Sequence, residues 1–377
     1  METTLQQGLN EVVMNKVQRM IDGKAVGVQA TMERLLSEGR IAQDYIAPLG
    51  VNLKHAGERP IITFAGDDGL EMNMPDGTFS LHTNAVGQLA DRMGIPSRYL
   101  KTLASGEPWQ MMLAAEILNQ HSDWTQRSRV LVRAVGNQVR GVLSDSYRRL
   151  NSVQILTAFV EEAAEQGAVI SDAYMTDTKV WAETILPTPI SIPTKNNGEV
   201  IIFAGARFST SDYGDGAVDM RTFLLNGACL NGMVRESVMK QVHLGSRLPD
   251  SLALSERTYK LDTETTVSAV RDLTRGLYSK DTIMQKALEI QGASEIEVDF
   301  DRELKKLQQG GSILKAEQQA VEKLLMNNNP DDGVTGSATL WKLTQAITAH
   351  AREVSPERAR ELHEISGNLM NRVKLAM

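Results

Sequence analysis

The residues best suited by type and spacing to do chemistry lie in RSRVLVRAVGNQVRGVLSDSYRRLNS, residues 127–152. Six arginines and one carboxylate give this stretch +5 in a chain of −7, leaving −12 for the remainder. Guanidinium forks match phosphate oxygens. A tyrosine beside arginines can stack on an unpaired base. The expected nucleic-acid-binding residues are therefore Arg127, Arg129, Arg133, Arg140, Tyr147, Arg148 and Arg149. A competing reading covers the arginines with Asp and Glu from elsewhere in the chain, and so acidic a sequence leaves that reading open.

Other candidates are weaker. In STSDYGDGAVD, 209–219, Asp212, Asp215 and Asp219 could hold Mg²⁺, or the backbone amides could form an anion nest. The spacing is not that of an EF-hand, and a loop of Asx turns is the favoured reading. Cys229 sits among apolar residues in FLLNGACLNGMV, with His243 the nearest histidine in sequence. A nucleophilic cysteine needs a base, and a buried structural thiol is the expectation here. The six histidines form neither HExxH nor an i, i+4 pair, so no metal site is expected. Walker A, GxGxxG and GxSxG patterns are absent. No cofactor and no catalytic residue is assigned, and the balance leans away from an enzyme.

The elements that must position these residues read as follows. Residues 3–39 are helical, with Leu5, Leu9, Val12, Val13, Val17 and Met20 on one face. PIITFAG at 60–66 and LEMNM at 70–74 flank the turn GDDG, and PDG leads into TFSLH. Two short helices break at Gly94 and Pro96, and another helix spans 107–120. Strands 128–135 and 138–144 meet at Gly136-Asn137, where glycine in first place suits a type II′ hairpin. Val135 then faces Gln138, and Arg133 faces Arg140. Arg127, Arg129 and Arg133 share one strand face, Val130, Val132 and Ala134 the other. A helix over 151–166 and strands in KVWAETILP, EVIIFAGARFS and MRTFLLNGACL follow. From about 235 the pattern turns helical, and Ser355-Pro356 supplies an N-cap and a first-turn proline.

The expected fold class is α+β: a curved antiparallel sheet with packed helices and an all-helical C-terminal region. The expected division is an N-terminal helical segment (1–58), an α+β core (59–234) and a helical region (235–377). A length of 377 residues suggests roughly two domains, and 42% apolar and 23% charged residues is ordinary globular composition. One cysteine excludes an intrachain disulfide and fits a reducing compartment. METTLQQGLNEVVMNKVQRM lacks a signal peptide's apolar core, and no run approaches a membrane span. A cytoplasmic location with no membrane partner is expected.

Four segments, in order, resemble one family: FSLHTNAVGQLADRMGIPSRYL, VRGVLSDSYRRLNSVQIL, RFSTSDYGDGAVDMRTFLLNGACLNGMV and TLWKLTQAITAHARE. This is the phage/plasmid-like family catalogued as domain of unknown function 932. Its Leu-Ser-Asp-x-Tyr-Arg pattern is matched by Leu143, Ser144, Asp145, Tyr147 and Arg148. Its Asn-Ser-Glu-x-Gly-x-Gly and Cys-x-Asn-Gly patterns are matched by Ser211, Gly214, Gly216, Cys229, Asn231 and Gly232. Thr210 and Asp212 stand where Asn and Glu are usual. The resemblance spans about residues 60–350. It implies a protein of a bacteriophage, plasmid or other mobile element, hence a host cytoplasm, and no activity. With the arginine segment it gives the leading expectation: single-stranded DNA binding by a homo-oligomer, with a possible annealing or recombination-mediator role. The alternatives are an interaction protein that inhibits a host defence or repair factor, and a Mg²⁺-dependent enzyme.

Overall fold

The structure is a computed structural model that describes residues 2–49, 60–66, 69–124, 129–145, 147, 152–227, 229–241 and 255–373. Arg127, Arg148, Arg149 and His243 lie outside the described residues. The chain is α+β, with two six-stranded sheets in place of the single sheet expected.

Helix α1 (Glu2–Ile41) runs into strand β1 (Ala42–Pro48), so the N-terminal segment is not wholly helical. β1 carries Gln43 and Asp44 and shows little apolar alternation; pairing with a distant strand makes it a strand. Strands β2 (Ile61–Phe64), β3 (Leu70–Met74) and β4 (Gly77–Leu81) form a meander. Helices α2 (Thr83–Arg92), α3 (Ser97–Ala104) and α4 (Pro108–Trp124) follow, broken at Gly94 and Pro96 as expected. Next comes the arginine hairpin, β5 (Arg129–Val135) and β6 (Gln138–Ser144). The first sheet has the order β1-β5-β6-β4-β3-β2, with β4 and β6 parallel and all other pairs antiparallel. Val130, Val132, Ala134, Val139 and Val142 pack with Leu89 of α2, Leu100 of α3 and Leu118 of α4.

Helix α5 (Ser152–Glu165) leads into the second sheet. Its strands are β7 (Val169–Met175), β8 (Val180–Ile185), β9 (Ile190–Pro193), β10 (Glu199–Thr210), β11 (Val218–Asn226) and β12 (Asn231–Gln241). The order is β12-β11-β10-β8-β7, with β9 on β10 beyond β8, and every pair is antiparallel. β12 carries the strand region to 241, past the expected boundary at 235.

The central strand β10 is buried on both faces, which is why EVIIFAGARFST reads as a near-continuous apolar run. Ile201 and Phe203 join Ile185, Phe223, Leu225 and Val234 under Val13 and Val17 of α1. The alternate residues face the other way. Ala206 and Phe208 meet Ile155 and Phe159 of α5, while Val200 and Ile202 meet the C-terminal helices.

Those helices are α6 (Glu256–Leu277), α7 (Lys280–Glu295), α8 (Phe300–Gln309), α9 (Lys315–Asn327), α10 (Leu340–His350) and α11 (Pro356–Leu369). Every residue of α10 is buried. Its apolar stripe, LWKLTQAI, is therefore consumed inside the chain and is not left over for a contact between copies. Ser355 caps α11 as expected, its Oγ accepting from the Arg358 amide at 3.4 Å. α11 crosses β12 at close range. A Cβ on Gly367 would lie 1.6 Å from the Val234 carbonyl oxygen, so only glycine permits this approach. Among the described residues no helix is long and apolar enough to cross a membrane.

Candidate functional site

The turn chemistry of the arginine hairpin is as expected. Gly136 has φ 58° and Val135 stands opposite Gln138. The arginine register is not. A bulge after Arg133 places Arg133 opposite Gly141 and makes Arg140 the extra residue, so the two arginines do not face each other. Nor is the hairpin an open edge, since β1 and β4 flank it.

The face opposite the valines is also covered. Arg133 is 1% exposed and grips Asp44 of β1 with a two-bonded fork, Nε to Oδ1 and Nη2 to Oδ2, each 2.7 Å. Its Nη1 donates to the Asp212 carbonyl, and its guanidinium lies 5.5 Å from the centre of the Tyr147 ring. Tyr147 is itself buried, with Leu131 and Leu143. Arg140 donates to Glu38 of α1 at 2.5 and 3.2 Å and to the Asp177 carbonyl at 3.0 Å. Arg133, Arg140 and Tyr147 therefore lock the first sheet to α1 and to the 209–219 loop, and present no surface to phosphates or bases. Arg129 alone of the described set is exposed, paired with Asp145 at 3.2 Å.

The 209–219 carboxylates point to separate partners. Asp212 accepts from Ser152 Oγ at 2.8 Å, Asp215 from Thr178 Oγ1 at 2.5 Å, and Asp219 from Arg221 Nε at 2.6 Å. Among the described residues no group of three His, Cys, Asp or Glu side chains could hold a metal ion. Cys229 is buried against α10, its Sγ 4.0 Å from Gln345 Oε1. Burial pushes its thiol up to about 11, so it is no ready nucleophile.

The feature with the geometry of a binding site lies elsewhere, on the α1 face of the second sheet. Further along each strand, that face changes from apolar to charged. Ile185 gives way to Glu183, Phe203 to Gly205 and then Arg207, and Phe223 to Arg221. Gly205 makes the transition possible, because a Cβ there would sit 2.2 Å from the Thr184 carbonyl oxygen. Arg207 and Glu183 are register partners across β10 and β8. Over this charged patch, between α1 and α11, lies a cleft of about 300 Å³. Its apolar wall includes Met20, Phe223, Leu225 and Leu230; its charged residues and histidine are Lys24, Asp172, Glu183, Arg207, Arg352, Arg360 and His363.

The floor is a buried ionic chain. Arg207, 4% exposed, donates from Nε to Glu183 Oε1 at 2.7 Å, and its Nη2 meets the same carboxylate. Nη2 also bonds His363 Nδ1 at 2.9 Å. A guanidinium only donates, so Nδ1 must accept and the imidazole proton sits on Nε2. Burial, with Arg207 next in importance, pushes the His363 pKa down to about 3, which keeps the ring neutral. Burial pushes the Glu183 carboxyl up, but Arg207 and its neighbours outweigh this and leave a net lowering, so it is ionised.

Two fully buried donors are left over. Arg207 Nη1 and Arg360 Nε are both buried without a hydrogen-bond partner among the described residues. Arg360 is held in place by stacking, its guanidinium 4.6 Å from the Tyr174 ring centre and 5.2 Å from that of Trp181. Its Nη1 donates to the Pro356 carbonyl at 2.8 Å. Four cationic side chains line the cleft against two carboxylates. Lys24 is matched by Asp172 at 2.9 Å, Arg352 by Asp332 outside the cleft and Arg207 by Glu183, while among the described residues no carboxylate is bonded to Arg360. In a chain of net charge −7 this is a local concentration of positive charge with unused N–H groups.

None of these residues was singled out from the sequence. The available signal was a single charge inside an apolar strand: Glu183 in VWAETI and Arg207 in EVIIFAGARFST. A charge so placed needs a buried partner. No family model, curated protein or solved structure matches the chain. The resemblance to the phage/plasmid-like family thus rests on the quoted segments alone.

Proposed function

We propose that this protein is a binding protein that holds a small anionic ligand in the cleft between α1, α11 and the second sheet. One observation carries the reading: Arg207 Nη1, deeply buried in a positively charged cleft, has no acceptor among the described residues. A buried donor left unpaired costs about 1–3 kcal/mol, more when charged. An anion entering the cleft removes that cost and balances the charge excess. The apolar wall accommodates the ligand's uncharged part, and a volume of about 300 Å³ is at the small end of ligand pockets.

The single-stranded DNA reading has less support. Of its residues within the described chain, Arg133, Arg140 and Tyr147 are internal and only Arg129 is exposed. The two readings separate in one experiment. Trp181 lies against Arg360, so its fluorescence should change when an anion enters. Titration with small organic anions is expected to give a saturable change that Trp181→Phe removes. Salt-sensitive anisotropy with a labelled oligonucleotide, and no response to small anions, would favour nucleic-acid binding instead.

A further inference from the structure

We infer that the ligand of this cleft is a monocarboxylate on a compact apolar body, its carboxylate seated on the Nε–Nη2 fork of Arg360. The inference rests on the anion-binding reading above and adds the chemical class.

It follows from a comparison within the chain. The Nε and Nη2 donors of an arginine lie parallel and match the two oxygens of a carboxylate. Arg133, Arg207, Arg235, Arg275 and Arg358 each spend that fork on one carboxylate of the chain: Asp44, Glu183, Glu289, Glu162 and Glu317 in turn. On Arg360 only Nη1 is bonded, to the Pro356 carbonyl, and Nε and Nη2 have no partner among the described residues. The carboxylates around it are committed elsewhere, Glu183 to Arg207, Asp172 to Lys24 and Glu357 to the Tyr174 hydroxyl. The rings of Tyr174 and Trp181 hold this guanidinium in place, so its fork is set before a ligand arrives. Burial lowers its pKa, Glu183 opposes and Arg207 reinforces this, and the net is downward: the chain leaves this charge incompletely compensated.

A fork also fits two oxygens of a phosphate, and charge decides between them. With Lys24 on Asp172, Arg207 on Glu183 and Arg352 on Asp332, Arg360 is the one lining cation without a carboxylate among the described residues, an excess of a single charge. A carboxylate balances it. A phosphate monoester carries about −1.5 to −2 at pH 7 and brings surplus negative charge beside Glu183 and Asp172. A carboxylate accepts through about four lone-pair sites, so after the fork it has capacity for Arg207 Nη1 and the Nε2–H of His363. Met20, Phe223, Leu225 and Leu230 receive the organic body.

Isothermal titration of the full chain with benzoate, acetate, phenyl phosphate and benzamide near neutral pH tests this. Benzoate is expected to bind at least ~tenfold more tightly than each of the others. Arg360→Lys keeps the charge and removes the fork, and should lose at least ~tenfold for benzoate. If that variant does not fold, the wild-type ranking of ligands decides alone. Phenyl phosphate within tenfold of benzoate, or tighter, would overturn the carboxylate class and leave the anion-binding reading standing. Acetate equal to benzoate would overturn the apolar body. A folded Arg360→Lys variant with wild-type affinity for benzoate would overturn the fork. Benzamide equal to benzoate, or no binding by any of the four, would overturn the anion-binding reading as well.

Discussion

Replacing Glu183 by Gln removes the one carboxylate bonded to Arg207 while keeping its shape. Arg207, 4% exposed, would be left with a neutral amide, a neutral His363 and a second cation, Arg360, close by. Removing one partner of a buried ion pair costs about 3–5 kcal/mol, because the other charge stays buried without compensation. With a urea m-value of about 3 kcal/mol per molar, the unfolding midpoint should drop by about 1–1.7 M. The double variant Glu183→Gln, Arg207→Met removes both charges and should recover most of the loss, ending within ~1 kcal/mol of wild type. An anion in the cleft supplies the missing negative charge. A small organic anion that binds the cleft, at a hundred times its dissociation constant, stabilises the wild type by about 2.7 kcal/mol and should stabilise Glu183→Gln by more. Urea titrations followed by circular dichroism, with and without ligand, measure all of these. A Glu183→Gln variant within ~0.5 kcal/mol of wild type would mean that Arg207 is not desolvated, and the electrostatic argument for the cleft would fail. So would a double variant no more stable than the single one.

His363 has its pKa lowered to about 3 from an ordinary 6.5, by burial first and Arg207 second; Arg360 and Lys24 act in the same direction, against Glu183. Between those values the unfolded chain binds a proton that the folded chain refuses, so stability should fall as pH drops from 6.5 towards 3. His363→Gln should flatten that slope in urea midpoints measured across the pH range. Arg133→Ala and Arg140→Ala should each destabilise by ~2–3 kcal/mol in the same assay, below the full cost of an orphaned charge. The reason is that Asp44 is 44% exposed and Arg34 stays on Glu38. Unchanged stability in either variant would mean that its arginine is not a structural tie. Cys229, with its thiol near 11, should resist iodoacetamide in the folded protein at pH 8 and react after unfolding; mass spectrometry of the native adduct reads the difference.

The sequence by itself determined whatever depends on neighbours along the chain. The helices at 83–92 and 97–104 are separated by Gly94 and Pro96; the hairpin turns at Gly136-Asn137; Ser355-Pro356 starts α11. Each rests on a local steric or hydrogen-bonding preference, and each is present. The valine face of the hairpin was equally legible, because a period of two assigns it without knowing what packs there. β1, β7 and β9 escaped notice because short strands with polar residues are made by their partners more than by their own composition.

What an arginine does was decided only by tertiary structure. Arg133 and Arg140 stand in a strand pair whose sequence suits a phosphate-binding face equally well. Asp44 and Glu38, 89 and 102 residues away in the chain, turn them into internal ties. The cleft has the same origin. Arg207 meets Glu183 through strand register and His363 from 156 residues further on. The same folding leaves Nη1 without an acceptor among the described residues. A charge in an apolar strand announces that it must be compensated, since its desolvation is costly. It does not say whether the compensating group comes from the chain or from a ligand. Packing settles that, by the distances at which α1, α11 and the second sheet come together.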